Sequence, residues 1–172
     1  QLAPLEERHM LWLKLLVYAP LYIGLLLVAG PWCALRLGGG SLAPASPWSI
    51  GAGAVLILAG AVSAARCVWD FGKVGQGTPA AFDAPRRHVT VGLYRNVRNP
   101  MYVATILALL GEVAATLSVS ILAYTAAIWL CCHLFVVMYE EPTLRRKFGD
   151  GYRAYCAAVP RWIPRLRSAL TA

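Results

Sequence analysis

The stretch Tyr94-Arg95-Asn96-Val97-Arg98-Asn99-Pro100-Met101-Tyr102 is basic and aromatic, and it runs directly into an apolar segment long enough to enter a membrane. Asn99-Pro100 reads as a helix start, because asparagine caps free N–H groups and proline is tolerated in the first turn. Two arginines and two tyrosines are thereby held where a helix emerges at a membrane surface.

Working outward, four apolar runs stand out: 10–30, 48–71, 101–117 and 119–139. At 1.5 Å per residue the third covers roughly 26 Å and the others about 30 Å or more, enough for a bilayer core. No segment alternates with period two, so a β-barrel is not supported. The expected fold is an all-α integral membrane protein with four transmembrane helices and short C-terminal amphipathic helices, forming a single membrane domain over 1–172. Arg8 and Lys14 flank the first run; Lys73, Arg86, Arg87, Arg95 and Arg98 lie between the second and third. Arg145, Arg146, Lys147, Arg153, Arg161, Arg165 and Arg167 follow the fourth, whereas Arg36 alone falls in the loop 31–47. Both termini are therefore expected on the cytoplasmic side.

Composition narrows the function classes. The chain of 172 residues is 59% hydrophobic and carries a formal charge of +8. The charge alone would suit nucleic acid, but the hydropathy argues for a membrane protein whose lysines and arginines gather on one side. Cys33, Cys67, Cys131, Cys132 and Cys156 form no CxxC pair and read as small apolar residues. His9, His88 and His133 are scattered, so no metal site is expected. The run 10–30 is longer than a typical signal-peptide core and lacks a small-x-small cleavage site near its end. The chain starts at Gln1, and what precedes it is left open.

The connections differ in character. The loop 31–47 is rich in Gly, Pro and Ser and reads as a plain outer connection. The loop 72–97 contains Gly75-Gln76-Gly77-Thr78-Pro79, whose glycines either let backbone approach a ligand or serve as turn residues. After the fourth run, Glu140-Glu141-Pro142 reads as a helix end followed by a new start at Pro142. Leu144–Phe148 then forms one or two amphipathic turns, Gly149 stops them, and Asp150 caps a second short helix carrying Tyr152 and Tyr155. The segment Val159-Pro160-Arg161-Trp162-Ile163-Pro164 closes the patterned part of the chain, with Trp162 suited to the membrane interface.

A very short turn around Ser118 makes the third and fourth runs a hairpin, which brings Arg98, Asn99 and Tyr102 to a similar depth as Glu140 and Glu141. Adjacent glutamates at a helix C-terminus oppose its dipole and call for a cation. On the bare sequence an ion pair with Arg95, Arg98 or Arg145 is the favoured account; a cationic ligand is the other. Arg66 and Asp70, four apart, read as a helix-surface pair. Glu112 lies deeper and toward the outer side, and reads as structural or protonated although an intramembrane acid is a functional candidate by default. His133 sits in mid-span, and its sequence neighbourhood names no role for it.

With these residues in view, Gly92-Leu93-Tyr94-Arg95-Asn96-Val97-Arg98-Asn99-Pro100-Met101-Tyr102 resembles the G-x-Y-x-x-x-R-H/N-P-x-Y signature of integral-membrane methyltransferases. That group includes isoprenylcysteine carboxyl methyltransferases and phospholipid N-methyltransferases. Glu140-Glu141-Pro142-x-Leu144, Phe148-Gly149, Tyr152, Tyr155 and Val159–Pro164 are similar to the rest of it, and the loop from Gly75 to Thr78, followed by Pro85-Arg86-Arg87, is similar to small prokaryotic members. The resemblance implies methyl transfer from S-adenosylmethionine, leaving S-adenosylhomocysteine, at the cytoplasmic face of a prokaryotic inner membrane. It implies a cofactor-binding part over about 72–165, with Arg98, Asn99, Pro100, Tyr102, Glu140, Glu141, Tyr152, Tyr155 and Trp162 as cofactor-binding residues. Glu140, Glu141 and Arg98 are its catalytic candidates.

Asn99 stands where the family often has histidine; asparagine cannot act as a base at neutral pH, so proton transfer falls to the glutamates. The implied acceptor is a lipophilic small molecule or lipid. An isoprenylcysteine-type carboxylate is favoured, with phospholipid amine and small thiol as alternatives. A transporter subunit would place polar residues on mid-membrane faces, and a scaffold would need no cofactor; here polar residues gather at one inner rim.

Overall fold

The computed structural model describes residues 13, 16–18, 20–38, 46–75 and 89–165, and every regular element among them is helical. Helix α1 covers Leu16–Leu37 and α2 Pro47–Val74; α3 covers Pro100–Thr116, α4 Val119–Phe135 and α5 Glu141–Ala158. The parts of the loop 72–97 that hold Gln76, Gly77, Thr78, Pro79, Pro85, Arg86 and Arg87 lie outside the described residues, as do Arg8, Lys14, His9, His88 and Arg167.

Local chemistry sets the ends of these helices. Ser46 precedes α2, and its Oγ accepts the Ser49 amide at 3.1 Å. Ser118 does the same for α4, accepting from the Ile121 amide at 3.3 Å. Leu117 and Ser118 alone separate α3 from α4, the length of an αα-hairpin connection. Leu117 adopts the left-handed conformation at φ 50°, a cost that a two-residue reversal imposes on a non-glycine residue.

Two prolines act against expectation. Pro31 does not end the first helix, and Pro142 does not begin a new one: α1 continues to Leu37, and the fourth helical run continues from Val119 through Pro142 as far as the break at Gly149. In each case a π-helical segment comes just before the proline, Gly24–Ala29 in α1 and Val136–Glu140 between α4 and α5. The Gly30 amide donates to the Leu25 carbonyl and the Glu141 amide to that of Val136, both five residues back. The widened turn places the missing proline donor, and the ring that would strike the carbonyl four residues earlier, where the ladder has already shifted register. The glycine stop, by contrast, falls where the sequence puts it: Gly149 takes φ 56° and ψ −132° and divides α5 into two parts. The Asp150 carboxylate turns to Arg153 Nη1 at 3.2 Å.

Among the described residues three helices are long and apolar enough to cross a membrane: α1, α2 and the run Val119–Ala158; α3 is apolar but shorter at 17 residues. The last run would reach about 60 Å, roughly twice a hydrocarbon core, so only its apolar half through Tyr139 suits the bilayer. The remainder, α5, bears Glu141, Arg145, Arg146, Lys147, Asp150 and Arg153, a charge density that does not suit hydrocarbon.

Contacts sort the described residues into two compact units, one from 1–18, 65–100 and 134–172, the other from 19–64 and 101–133. Of the chain's lysines, arginines, aspartates and glutamates, only Arg36 and Glu112 fall in the second unit. Its helices pack through small residues. A Cβ on Gly53 would stand 2.5 Å from the Gly111 carbonyl oxygen, and one on Gly60 would stand 2.6 Å from that of Ala104. Backbones that approach this closely replace the hydrophobic drive that lipid surroundings remove. Tyr22 and Thr105 share a hydroxyl hydrogen bond of 3.0 Å, and Tyr124 donates to the Leu26 carbonyl within the π-helical segment at 3.1 Å. The first unit has an ordinary buried core in which Tyr152, Tyr155 and Val159 of the C-terminal part pack with Leu144 and Phe148.

The two glycines at the start of α2 should therefore respond oppositely to alanine. Gly51 faces open space, so Gly51→Ala should stabilise by up to about 1 kcal/mol through backbone entropy. Gly53→Ala should destabilise by about 1–3 kcal/mol through overpacking. Thermal unfolding of the detergent-purified variants, followed by thiol exposure, distinguishes the two.

Candidate functional site

The opening stretch folds as a short 3₁₀ turn, Gly92–Arg95, followed by a short irregular link into α3. Gly92 takes φ 57°, and a side chain there would collide with the carboxylate of Asp70. Asp70 is buried and pairs with Arg66 Nε at 3.3 Å, so the expected i,i+4 pair exists with its acid turned inward against the turn. Tyr94 packs edge-on against Phe71, with ring centroids 5.5 Å apart.

The C-terminal segment after α5 is fastened along this link. The Arg98 amide donates to the Pro160 carbonyl at 2.9 Å and the Arg165 amide to that of Asn96 at 3.0 Å. Asn99 Nδ2 donates to the Arg161 carbonyl at 3.1 Å, and the buried Tyr155 hydroxyl donates to the Tyr94 carbonyl at 2.7 Å. Pro160 and Pro164 restrict the segment between them, which holds Arg161 and Trp162 in place.

Glu141 lies at the centre, with 4% of its surface exposed. Arg161 grips it with two donors, Nε to Oε1 at 2.7 Å and Nη2 to Oε2 at 3.0 Å. Arg98 Nη1 reaches Oε1 at 2.8 Å, and Arg145 Nη2 stands 3.6 Å from Oε2. Burial alone would raise the Glu141 carboxyl, but the Arg161 hydrogen bond and the charges of Arg98, Arg161 and Arg145 outweigh it and hold the group below the usual range. The Arg161 hydrogen bond to Glu141 raises the guanidinium in turn. Burial pushes the Tyr152 and Tyr155 phenols up, so both stay protonated as donors. Three guanidinium groups around one carboxylate leave local positive charge. Arg98 Nη1 also contacts Cys156 Sγ at 3.1 Å, while Arg98 Nε is buried with no hydrogen-bond partner among the described residues.

Thus Arg98, Asn99, Glu141 and Tyr155 are brought into one bonded cluster, and Tyr152 packs beside Tyr155 with ring centroids 6.0 Å apart. Pro100 is buried at the helix start; Glu140 and Trp162 are half-buried in the same unit, while Tyr102 belongs to the other unit. The ion-pair account of the acidic pair describes Glu141, with Arg98 and Arg145 as foreseen and Arg95 exposed instead. Arg161 and Cys156 were not singled out from the sequence. The signal for Arg161 was its place between two prolines, which immobilises a guanidinium at little further entropic cost.

The fold and this corner define an all-helical membrane protein that gathers buried ion pairs where its third helix begins. A model of the phospholipid methyltransferase family matches residues 48–151, about three-fifths of the sequence, and the chain belongs to that family. The match includes Arg98, Asn99 and Glu141 and stops short of Tyr152, Tyr155 and Arg161. No curated protein and no solved structure matches the chain.

Removing the central charge should be costly. Glu141→Gln leaves Arg98 and Arg161 facing one another without a counter-charge and should destabilise by about 3–5 kcal/mol. Because the folded carboxyl lies below its unfolded value of about 4.3, the stability it contributes is complete above that value and is lost as pH falls through the folded one. Melting temperature against pH should therefore drop for the wild-type protein in that acid range. The Glu141→Gln protein should be lower above that range, show less of the drop and approach the wild type below it.

Proposed function

We propose that the chain is an S-adenosylmethionine-dependent methyltransferase that acts at the inner rim of a prokaryotic cell membrane on a nucleophile attached to a hydrophobic carrier. Family membership supports the methyl transfer. In this reading 1–172 is one membrane domain with four spans and both termini inside. Helix α3, at about 26 Å, serves as a span by virtue of its apolar length. The lysine and arginine distribution supplies the orientation, and the cofactor-binding part runs over about 72–165.

The observation that carries the location is Arg98. Its Nη1 is committed to Glu141, whereas its buried Nε has no partner among the described residues. A buried guanidinium N–H without an acceptor fits a ligand carboxylate, and S-adenosylmethionine has one. Arg98 would hold that group, Asn99 and Pro100 would fix the loop from which Arg98 projects, and Glu140 would face the cationic part. Tyr152, Tyr155 and Trp162 complete the proposed wall, Tyr102 keeps its cofactor role on the motif alone, and Glu141 acts as the fixed centre on which Arg98 and Arg161 are oriented. The bound cofactor supplies an electrophilic methyl on its sulfonium, so the protein's task is chiefly to align donor and acceptor.

Proton chemistry favours the acceptor. Asn99 is no base, and Glu141 is held ionised by its arginines, a poor acceptor for a proton from an ammonium. A carboxylate nucleophile needs no base and suits the local positive charge, which favours an isoprenylcysteine-type acid. A phospholipid amine is the second reading, since the family match bears that name; it would require Glu140 as the base.

Membranes that contain the protein are incubated with methyl-labelled S-adenosylmethionine and either a prenylated cysteine or phosphatidylethanolamine. The expected product is a base-labile ester that releases labelled methanol from the prenylated cysteine. Base-stable label in phosphatidylethanolamine would move the assignment to the amine. No calorimetric binding of S-adenosylmethionine at millimolar concentration would overturn the enzyme reading.

A further inference from the structure

The membrane-type unit contains a cleft of about 720 Å³ that no part of the methyl-transfer reading uses. Its walls come from α1, α2, α3 and the start of α4, and Leu27, Val28, Trp32, Ile57 and Ile121 make it almost wholly apolar. The π-helical segment Gly24–Ala29 supplies much of one wall. Such widened turns recur at functional sites because they redirect side chains and loosen the backbone ladder.

One charged group lines the cleft, Glu112 of α3. It is half-buried, eleven steps beyond Met101 on the helix, about 16 Å of rise. No hydrogen bond or ion pair joins its carboxyl to another described residue. The neighbouring Thr116 hydroxyl does not relieve it, because that hydroxyl donates to the Glu112 backbone carbonyl at 2.7 Å. An acid at membrane depth is costly unless a partner compensates it; the Tyr124 phenol is near enough to interact electrostatically, but its hydroxyl donates to the Leu26 carbonyl and gives Glu112 no hydrogen bond. Arg36, the other charge of this unit, sits over the Trp32 ring at 4.4 Å.

We propose that this cleft binds a cationic amphiphile, with the ammonium head paired to Glu112 and the hydrocarbon chain lying against Leu27, Val28, Trp32 and Ile57. The volume is within the range of small-molecule sites. An apolar wall with one carboxylate discriminates by charge at the head and tolerates variation along the tail. The site goes beyond the methyl-transfer reading and stands on different residues in the other unit.

The test uses the full chain in phosphatidylcholine nanodiscs with no methyl donor, so its failure leaves the methyltransferase reading intact. The probe is a dodecylammonium bearing a photoreactive diazirine in its chain; the comparator is the dodecanol of the same length and tag. Ammonium labelling should map to peptides that hold 24–35 or 112–121 and exceed that of the alcohol. Glu112→Gln should cut the labelling by about tenfold, the loss expected when an ion pair in low dielectric disappears. Val28→Trp, which fills the cleft from an exposed position and leaves Glu112 in place, should cut it as well. Equal labelling by ammonium and alcohol in the wild-type protein overturns the proposal. Undiminished labelling in Val28→Trp, or adducts mapping elsewhere, does the same.

Discussion

A single buried carboxylate ties together segments far apart in the chain. Glu141, at the junction of an apolar helix and an amphipathic one, takes a guanidinium from the link before α3, another from one turn along its own helix and a third from the C-terminal segment. The bidentate grip of Arg161 fixes orientation as well as distance. Desolvation of so many charges is repaid only if every member stays in place, so the corner is cooperative. The backbone bonds from Arg98 to Pro160 and from Arg165 to Asn96 reinforce the same junction.

That constraint gives the π-helical segment at Val136–Glu140 a meaning. An ordinary helix through these residues would present Glu141 at a different angle and would collide with Pro142. The extra residue per turn admits the proline and rotates everything after it. The same device recurs before Pro31, where it shapes the wall of the Glu112 cleft. A π-helical turn before a proline thus precedes both places where this chain presents a charged group of interest.

Much was legible in the residues themselves. Apolar runs of sufficient length marked the helices, Gly149 marked a break that requires φ above zero, and Asn99-Pro100 marked the start of α3. The pairing of Glu141 with Arg98 and Arg145 followed from placing two helix ends on one side. What escaped has a common physical character. Whether a proline ends a helix or is absorbed depends on hydrogen bonds one turn earlier, which composition does not encode. Arg161 is twenty residues from its partner, and only the return of the C-terminal segment brings them together. The contact between Gly53 and Gly111 depends on which faces of two helices meet, and an isolated glycine in an apolar run carries no such information. The roles assigned to Glu140, Tyr102 and Trp162 still rest on the motif.

The Glu141–Arg161 contact also has an order in time. Translation produces Glu141 twenty residues before Arg161, an interval of about 1–4 s at typical elongation rates of about 5–20 residues per second. Arg145, Arg146 and Lys147, the next charges to be made, oppose any deeper slide of Glu141 into hydrocarbon. Arg161, the last of the three partners in chain order, completes the two-donor grip on Glu141.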